Sequence, residues 1–165
     1  MNRAALYSRF AVTLLIALWL QMVEWPAFAA PWRPMWLPLV LAYWTLAYNS
    51  LPTVFFSFLI GLLLDVLLAT PLGEHALAYV ALAYLLVRLR GSLIAMPLWQ
   101  ITLVLAPLWV LLAFALFWLD GLAHHPADLW LRWAPVVSTS LVWPLMVVLL
   151  DLTRARPRRR PKIRG

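Results

Sequence analysis

Long apolar runs separated by short polar stretches make up most of the sequence. A helix needs about 20 mostly apolar residues to cross the hydrocarbon core of a bilayer. The runs predict six helices, at about residues 6–23, 34–48, 52–69, 75–89, 98–119 and 134–152. The second run is short for a full span, so we expect it to be tilted, kinked at Pro38 or only partly embedded. The fold class expected is an all-α polytopic transmembrane bundle.

The first run also resembles a signal peptide. A basic start and an apolar middle precede a possible cleavage site at Ala27-Phe28-Ala29. However, Glu24 and Pro26 interrupt the run, and tryptophans crowd its exit as they do in an interfacial belt. We therefore expect an uncleaved helix, whereas cleavage would leave five helices.

The composition is typical of a protein that lies within a membrane. Of the 165 residues, 65% are hydrophobic and only 12% are charged, too few charges to cover a soluble domain of this size. We expect one membrane domain over residues 1–152 and a basic cytoplasmic tail over residues 153–165. Cysteine is absent, which excludes disulfides and thiol chemistry.

The distribution of basic residues predicts the orientation. With six spans and the N-terminus inside, only Arg33 and Arg132 of the thirteen lysines and arginines lie outside. This is a strong positive-inside signal, and it places both termini in the cytoplasm. We expect the tail to fix topology and to bind anionic lipid, since each basic residue near such a leaflet adds about 1 kcal/mol of attraction. Its basic residues are Arg154, Arg156, Arg158, Arg159, Arg160, Lys162 and Arg164.

Asp65 is an acidic residue deep inside a hydrophobic run. A charge at the bilayer centre costs about 2.5–3.5 kcal/mol, so the side chain should face protein or water. It could serve as a proton, ion or ligand site, but a hydrogen bond that locks two helices is the favoured interpretation. Ser57, Gly61, Asp65 and Ala69 recur every four residues and form one stripe, typical of close helix packing.

Candidate metal and catalytic residues are sparse. His124, His125 and Asp128 are close in sequence, but Pro126 lies among them and nothing convergent is nearby. We therefore predict no metal, no cofactor and no catalytic residues. The sequence contains no glycine-rich phosphate loop and no paired acidic motif.

Several short motifs share an order along the chain. They are Arg33-Pro34-x-Trp36, Tyr43-Trp44, Gly61-x-x-x-Asp65, Leu72-Gly73, Leu98-Trp99-Gln100 and Trp143-Pro144. Their order resembles the bacterial rod shape-determining protein family MreD of proteobacteria, from Pro34 to Pro144. The long basic tail and the Ala27-Phe28-Ala29 site depart from the family pattern.

The resemblance implies a non-enzymatic scaffold of the bacterial inner membrane that supports lateral peptidoglycan synthesis and cell shape. It implies the bitopic protein MreC as partner, and through it the MreB filament, a RodA-type glycosyltransferase and a class B penicillin-binding protein. Nucleic acid is not an expected partner. The implied fold is similar to the six-helix substrate-binding subunits of energy-coupling-factor transporters. Gly61-x-x-x-Asp65 carries over as a packing or internal polar site.

Two other functions stay open at this point. A small-solute-binding subunit of a transporter would need a polar pocket open to the outside, lined by Asp65, tryptophans and the loop after Ala69. A membrane enzyme acting on lipid-linked substrates would need several acidic or histidine residues within or beside the membrane. The chain offers few of these.

Overall fold

The computed structural model describes residues 3–49, 51–122 and 133–153, and these residues are helical apart from short connections. The helices are α1 Arg3–Met22, α2 Trp36–Ala47, α3 Thr53–Leu68, α4 Glu74–Leu93, α5 Leu98–Leu122 and α6 Ala134–Thr153, with a 3₁₀ turn at Ala30–Trp32. The six predicted helices are confirmed, with ends that agree to within a few residues.

The lengths of the helices differ in a way that matters for a membrane protein. Four of them, α1, α4, α5 and α6, are long and apolar enough to span a bilayer, and α3 is a shorter apolar helix. These helices make the chain a multi-pass membrane protein. With 12 residues, α2 is about 18 Å long at 1.5 Å per residue, well short of the roughly 30 Å of a hydrocarbon core.

The short helix α2 occupies the middle of the bundle. Its residues 37–45 are all buried, and it packs against α1, α3, α4 and α6. Because protein surrounds α2, its ends do not have to reach the boundary between lipid and water. This position explains how a helix too short to span can lie inside a membrane domain.

Neighbouring helices cap the N-terminus of α2. The first N–H groups of a helix have no partner within it and must find one elsewhere. The Met35 N–H donates to Thr139 Oγ1 of α6 at 2.9 Å, and the Trp36 N–H donates to Gln21 Oε1 of α1 at 3.2 Å. Side chains from both flanking helices thus bind two N–H groups at this end.

Polar contacts nearer the other end of α2 show how α1 and α6 are arranged around it. The Tyr43 hydroxyl donates to Asp151 Oδ1 at 2.7 Å, in the last turn of α6. Trp44 Nε1 donates to Thr13 Oγ1 of α1 at 2.9 Å, and its ring meets that of Phe10 edge-on. The start of α1 and the end of α6 therefore lie at one end of the bundle, which we call the Asp151 end.

Candidate functional site at the turn between α3 and α4

Asp65 lies at the opposite end of the bundle, at the junction of α3 and α4, and is completely buried. Its Oδ1 accepts hydrogen bonds from the His75 N–H at 2.9 Å and the Thr70 hydroxyl at 3.2 Å, and His75 Nδ1 lies 2.8 Å away. Its Oδ2 accepts the Gly73 N–H at 2.8 Å. Both carboxylate oxygens are thus occupied by the turn that follows α3.

The turn has an unusual backbone that brings these donors together. Ala69 ends α3 with a left-handed φ of 54°, and Gly73 precedes α4 with a φ of 102°. Between them, the Thr70 N–H donates to the Asp65 carbonyl at 3.0 Å, a bond typical of a helix that ends in a left-handed residue. The chain therefore reverses within a few residues and places the start of α4 beside Asp65.

Asp65 acts as the N-terminal cap of α4, although it belongs to α3. Gly73 is the N-cap residue and has no side chain to bind the orphan N–H groups. The carboxylate of Asp65 does so instead, and a negative group at a helix N-terminus also interacts favourably with the helix dipole. One side chain thus joins two helices and supplies the cap that α4 lacks locally.

Gly61 brings α3 and α4 into backbone contact one turn before Asp65. A Cβ at Gly61 would lie 2.4 Å from the Cα of Ala76 and 2.6 Å from its nitrogen. Ser57 and Asp65 of the predicted stripe are fully buried as well. Ala69, the fourth member, lies beyond the end of α3 and is exposed, so the stripe of buried residues ends at Asp65.

The position of Asp65 along α3 differs from the expectation of a mid-membrane charge. The apolar run continues past Asp65, but α3 ends at Leu68, so the carboxylate lies in its last turn. The left-handed Ala69 ends the helix, and Thr70 and Pro71 follow it. The carboxylate consequently sits beside a helix N-terminus instead of facing another helix at mid-span.

This geometry favours a structural role for Asp65. The carboxylate is inaccessible, and it does not line three cavities that lie among the described residues. Within that part of the chain, no three His, Cys, Asp or Glu side chains form a group that could hold a metal. His124, His125 and Asp128 lie outside the described residues.

The remaining motif positions serve the connection before α2 and the start of α2 itself. Arg33 Nη1 donates to the Val23 carbonyl at 3.3 Å, which ties the connection back to the end of α1. Pro34 is buried just before α2. Trp36 opens α2, and its N–H is the group that Gln21 caps.

Motif residues after α3 lie at several separate places in the bundle. Gly73 contributes to the Asp65 site, whereas Leu72 beside it is 73% exposed. Trp143 is buried, and its ring centroid lies 6.2 Å from that of Trp109. Trp99 and Pro144 line one apolar groove between α5 and α6, while Gln100 lies in the first turn of α5.

The seven basic residues of the tail lie outside the described part of the chain.

Several residues of these polar contacts were not predicted from the sequence. They are Thr13, Gln21, Thr70, His75 and Thr139. Thr70 and His75 could have been found in the sequence. They follow an aspartate at the end of an apolar run and flank a Pro-Leu-Gly turn, and this order is typical of capping. Gln21 and Thr139 gave no such signal, because each is far in sequence from the end of α2 that it caps.

Comparisons with known proteins agree with the motif order. The family profile described as rod shape-determining protein MreD matches residues 1–153. The rod shape-determining protein MreD of Haemophilus influenzae is 28% identical over 141 residues, which cover 86% of this chain and 87% of that protein. No solved structure matches the chain. Since the profile matches nearly the whole chain, the chain belongs to the MreD family of rod shape-determining proteins.

Proposed function

We propose that this protein is a non-enzymatic scaffold of the complex that elongates the lateral cell wall. It would lie in the bacterial inner membrane, with residues 1–152 as one membrane domain and residues 153–165 as a cytoplasmic tail. The family match over residues 1–153 is the observation that carries the proposal.

The use of polar groups inside the bundle supports a scaffold. Asp65, Thr139 and Arg90 each bind the backbone at an end of a neighbouring helix. Such contacts stabilise a fixed arrangement of helices. A protein whose internal polar groups hold its helices in place is suited to act through its outer surface.

The proposed partner is a bitopic membrane protein of the MreC type. Through it, or directly, the chain would contact a RodA-type glycosyltransferase and a class B penicillin-binding protein. The apolar outer faces of α1 and of the end of α3 are suited to contact within the membrane, because large side chains such as Ile16, Trp19 and Val66 are more than half exposed. The basic tail would add attraction to anionic lipids.

The cavities weigh against the small-solute-binding alternative. That function needs a polar pocket reached from outside, with Asp65 among its lining residues. Three cavities among the described residues are lined mainly by apolar side chains, and Asp65 contributes to none of these three. The scaffold therefore explains the observed site better than a solute-binding subunit does.

Complementation combined with co-purification tests the proposal. In a rod-shaped bacterium depleted of its own MreD, this chain should restore rod shape and, when tagged and gently extracted, should co-purify with the MreC-type protein. A Gly61→Ala variant should weaken both results because it disturbs the contact between α3 and α4, whereas Gly91→Ala serves as the matched control. Round cells despite normal membrane levels, or recovery of an ATPase module with a small molecule, would overturn the scaffold proposal.

A further inference from the structure

A groove of 650 Å³ opens on the outer surface of the bundle near its Asp151 end. The end of α2, the first half of α3 and the middle of α4 form its walls. Phe55, Phe58, Val80 and Val87 provide much of its apolar lining, and three of these are more than 40% exposed, Val80 being partly buried. The volume falls in the range of about 300–1,000 Å³ that ligand sites in proteins occupy.

Polar groups collect at one end of this groove. Tyr48 and Asn49, just after α2, and Thr53, the first residue of α3, line it together with the apolar side chains. The apolar part of the groove follows α3 and α4 away from this rim. The groove therefore has an amphipathic character, with hydrogen-bonding groups at its Asp151 end and hydrocarbon beyond.

Two arginines of α4 stand at the same rim. Residues 80, 84, 87 and 88 share one face of α4 by helical spacing, so the exposed Arg88 continues the face that lines the groove. Arg90 Nε donates to the Leu46 carbonyl at 3.1 Å, which places its guanidinium at the end of α2 beside the groove. Within the described part of the chain, Arg88 forms no ion pair. Asp151, the carboxylate at this end, is engaged by Tyr43.

We propose that this groove binds one anionic phospholipid. Its acyl chain would lie against Phe55, Phe58 and Val87, and its phosphate would meet Arg88 and the polar rim. The charge of Arg88 argues for this occupant. An apolar partner helix would gain nothing from a guanidinium at the rim, and a zwitterionic lipid would gain less than an anionic one. Basic pockets between membrane helices commonly bind anionic headgroups in this way. The proposal does not depend on the scaffold function.

Native mass spectrometry of the delipidated, detergent-solubilised protein tests lipid preference. Phosphatidylglycerol should bind more tightly than phosphatidylcholine with the same acyl chains. Arg88→Gln should weaken phosphatidylglycerol binding about fivefold, the effect of losing one basic contact, and Val87→Trp should abolish it by filling the groove. Arg3→Gln and Val148→Trp are the matched controls, because both residues are exposed and lie away from the groove. Equal binding by all variants, or equal binding of the two lipids, overturns the proposal.

A second measurement identifies the occupant in the native membrane. A photoreactive diazirine residue in place of Val87 should form its main adduct with phospholipid, and that adduct should fade when Arg88→Gln is added. A main adduct with a polypeptide would overturn the proposal and would show that a partner helix fills the groove. Elution of each variant as a single species in detergent establishes that the substitutions have not unfolded the bundle.

Discussion

Gly61 of α3 lies against the backbone of Ala76 of α4, so that a Cβ at position 61 would come within 2.4 Å of the Ala76 Cα. Real side chains do not tolerate such a separation. In lipid, where hydrophobic burial does not drive helix association, close approach of this kind allows van der Waals packing to hold two helices together. The contact lies one turn from Asp65, so packing and hydrogen bonding act on the same pair of helices.

Replacing Gly61 with alanine is expected to destabilise the bundle. The added methyl group must push α3 and α4 apart, because the atoms it meets belong to the backbone, and overpacking of this kind costs about 1–3 kcal/mol. The free energy of unfolding in mixed detergent micelles measures the effect.

Gly91→Ala is the matched control for this substitution. Gly91 also lies within a helix, but a Cβ there would meet nothing within 4 Å. The change should be neutral or should stabilise α4 by about 0.5–1 kcal/mol, since alanine favours a helix over glycine. If both substitutions had the same effect, the close contact at Gly61 would not contribute to stability.

Substitutions at Asp65 should separate its capping role from its charge. Asp65→Leu leaves the Gly73 and His75 N–H groups buried without an acceptor, so it should lower the free energy of unfolding by about 3 kcal/mol. Asp65→Asn keeps one acceptor oxygen but turns an amide NH₂ toward one of the donors, so a smaller loss of about 1 kcal/mol is expected. Thermal unfolding in detergent would rank the two variants.

The activity of the Asp65→Asn variant decides between a structural role and a role that needs the negative charge. If the asparagine variant folded normally but lost all ability to restore rod shape, a negative charge would be needed for activity, and a purely structural role would be wrong. Thr70→Val serves as a milder control, because it removes only the longest of the hydrogen bonds to the carboxylate, at 3.2 Å.

Hydropathy predicted the helices well because the membrane imposes a simple rule. Backbone polar groups in lipid must be satisfied within a helix, so an apolar run of sufficient length has few alternatives. Hydropathy also predicted the end of α3 to within one residue, but it did not predict the backbone conformation there. The apolar run gives no sign that Ala69 takes a left-handed conformation, since that conformation is rare for residues other than glycine.

The partners of the buried polar groups were harder to predict than the helices. Met35 is capped by Thr139, which is 104 residues away in sequence, and Trp36 by Gln21 of the preceding helix. Such pairs depend on how the helices are arranged around α2, and hydrophobic periodicity does not contain that information. Gly61 and Asp65 could be predicted as packing residues because their four-residue spacing is local. The helix against which they pack could not be predicted in this way.

A double-mutant cycle should measure the contact between α2 and α6. Tyr43 and Asp151 are 2.7 Å apart, and a hydrogen bond to a charged group contributes about 1.5–3 kcal/mol. Tyr43→Phe and Asp151→Ala should each destabilise the bundle, and the double variant should cost less than the sum of the two. Tyr84→Phe is the control, because Tyr84 is 55% exposed. Fully additive effects would show that the two residues are not coupled.

Reporter fusions should place the Asp151 end of the bundle in the cytoplasm. Arg90 of α4 and the last turn of α6 both lie at this end, through the contacts Arg90 to Leu46 and Asp151 to Tyr43. Fusions after Arg90 and after Gly165 should therefore both give fluorescent GFP and inactive alkaline phosphatase. An insertion in the turn at residues 70–73 should show the reverse pattern, because Asp65 lies at the other end. If the two fusions reported opposite sides of the membrane, the ends of α4 and α6 would not lie at the same end of the bundle. If both reported the periplasm, the bundle would be correct but its orientation would be inverted.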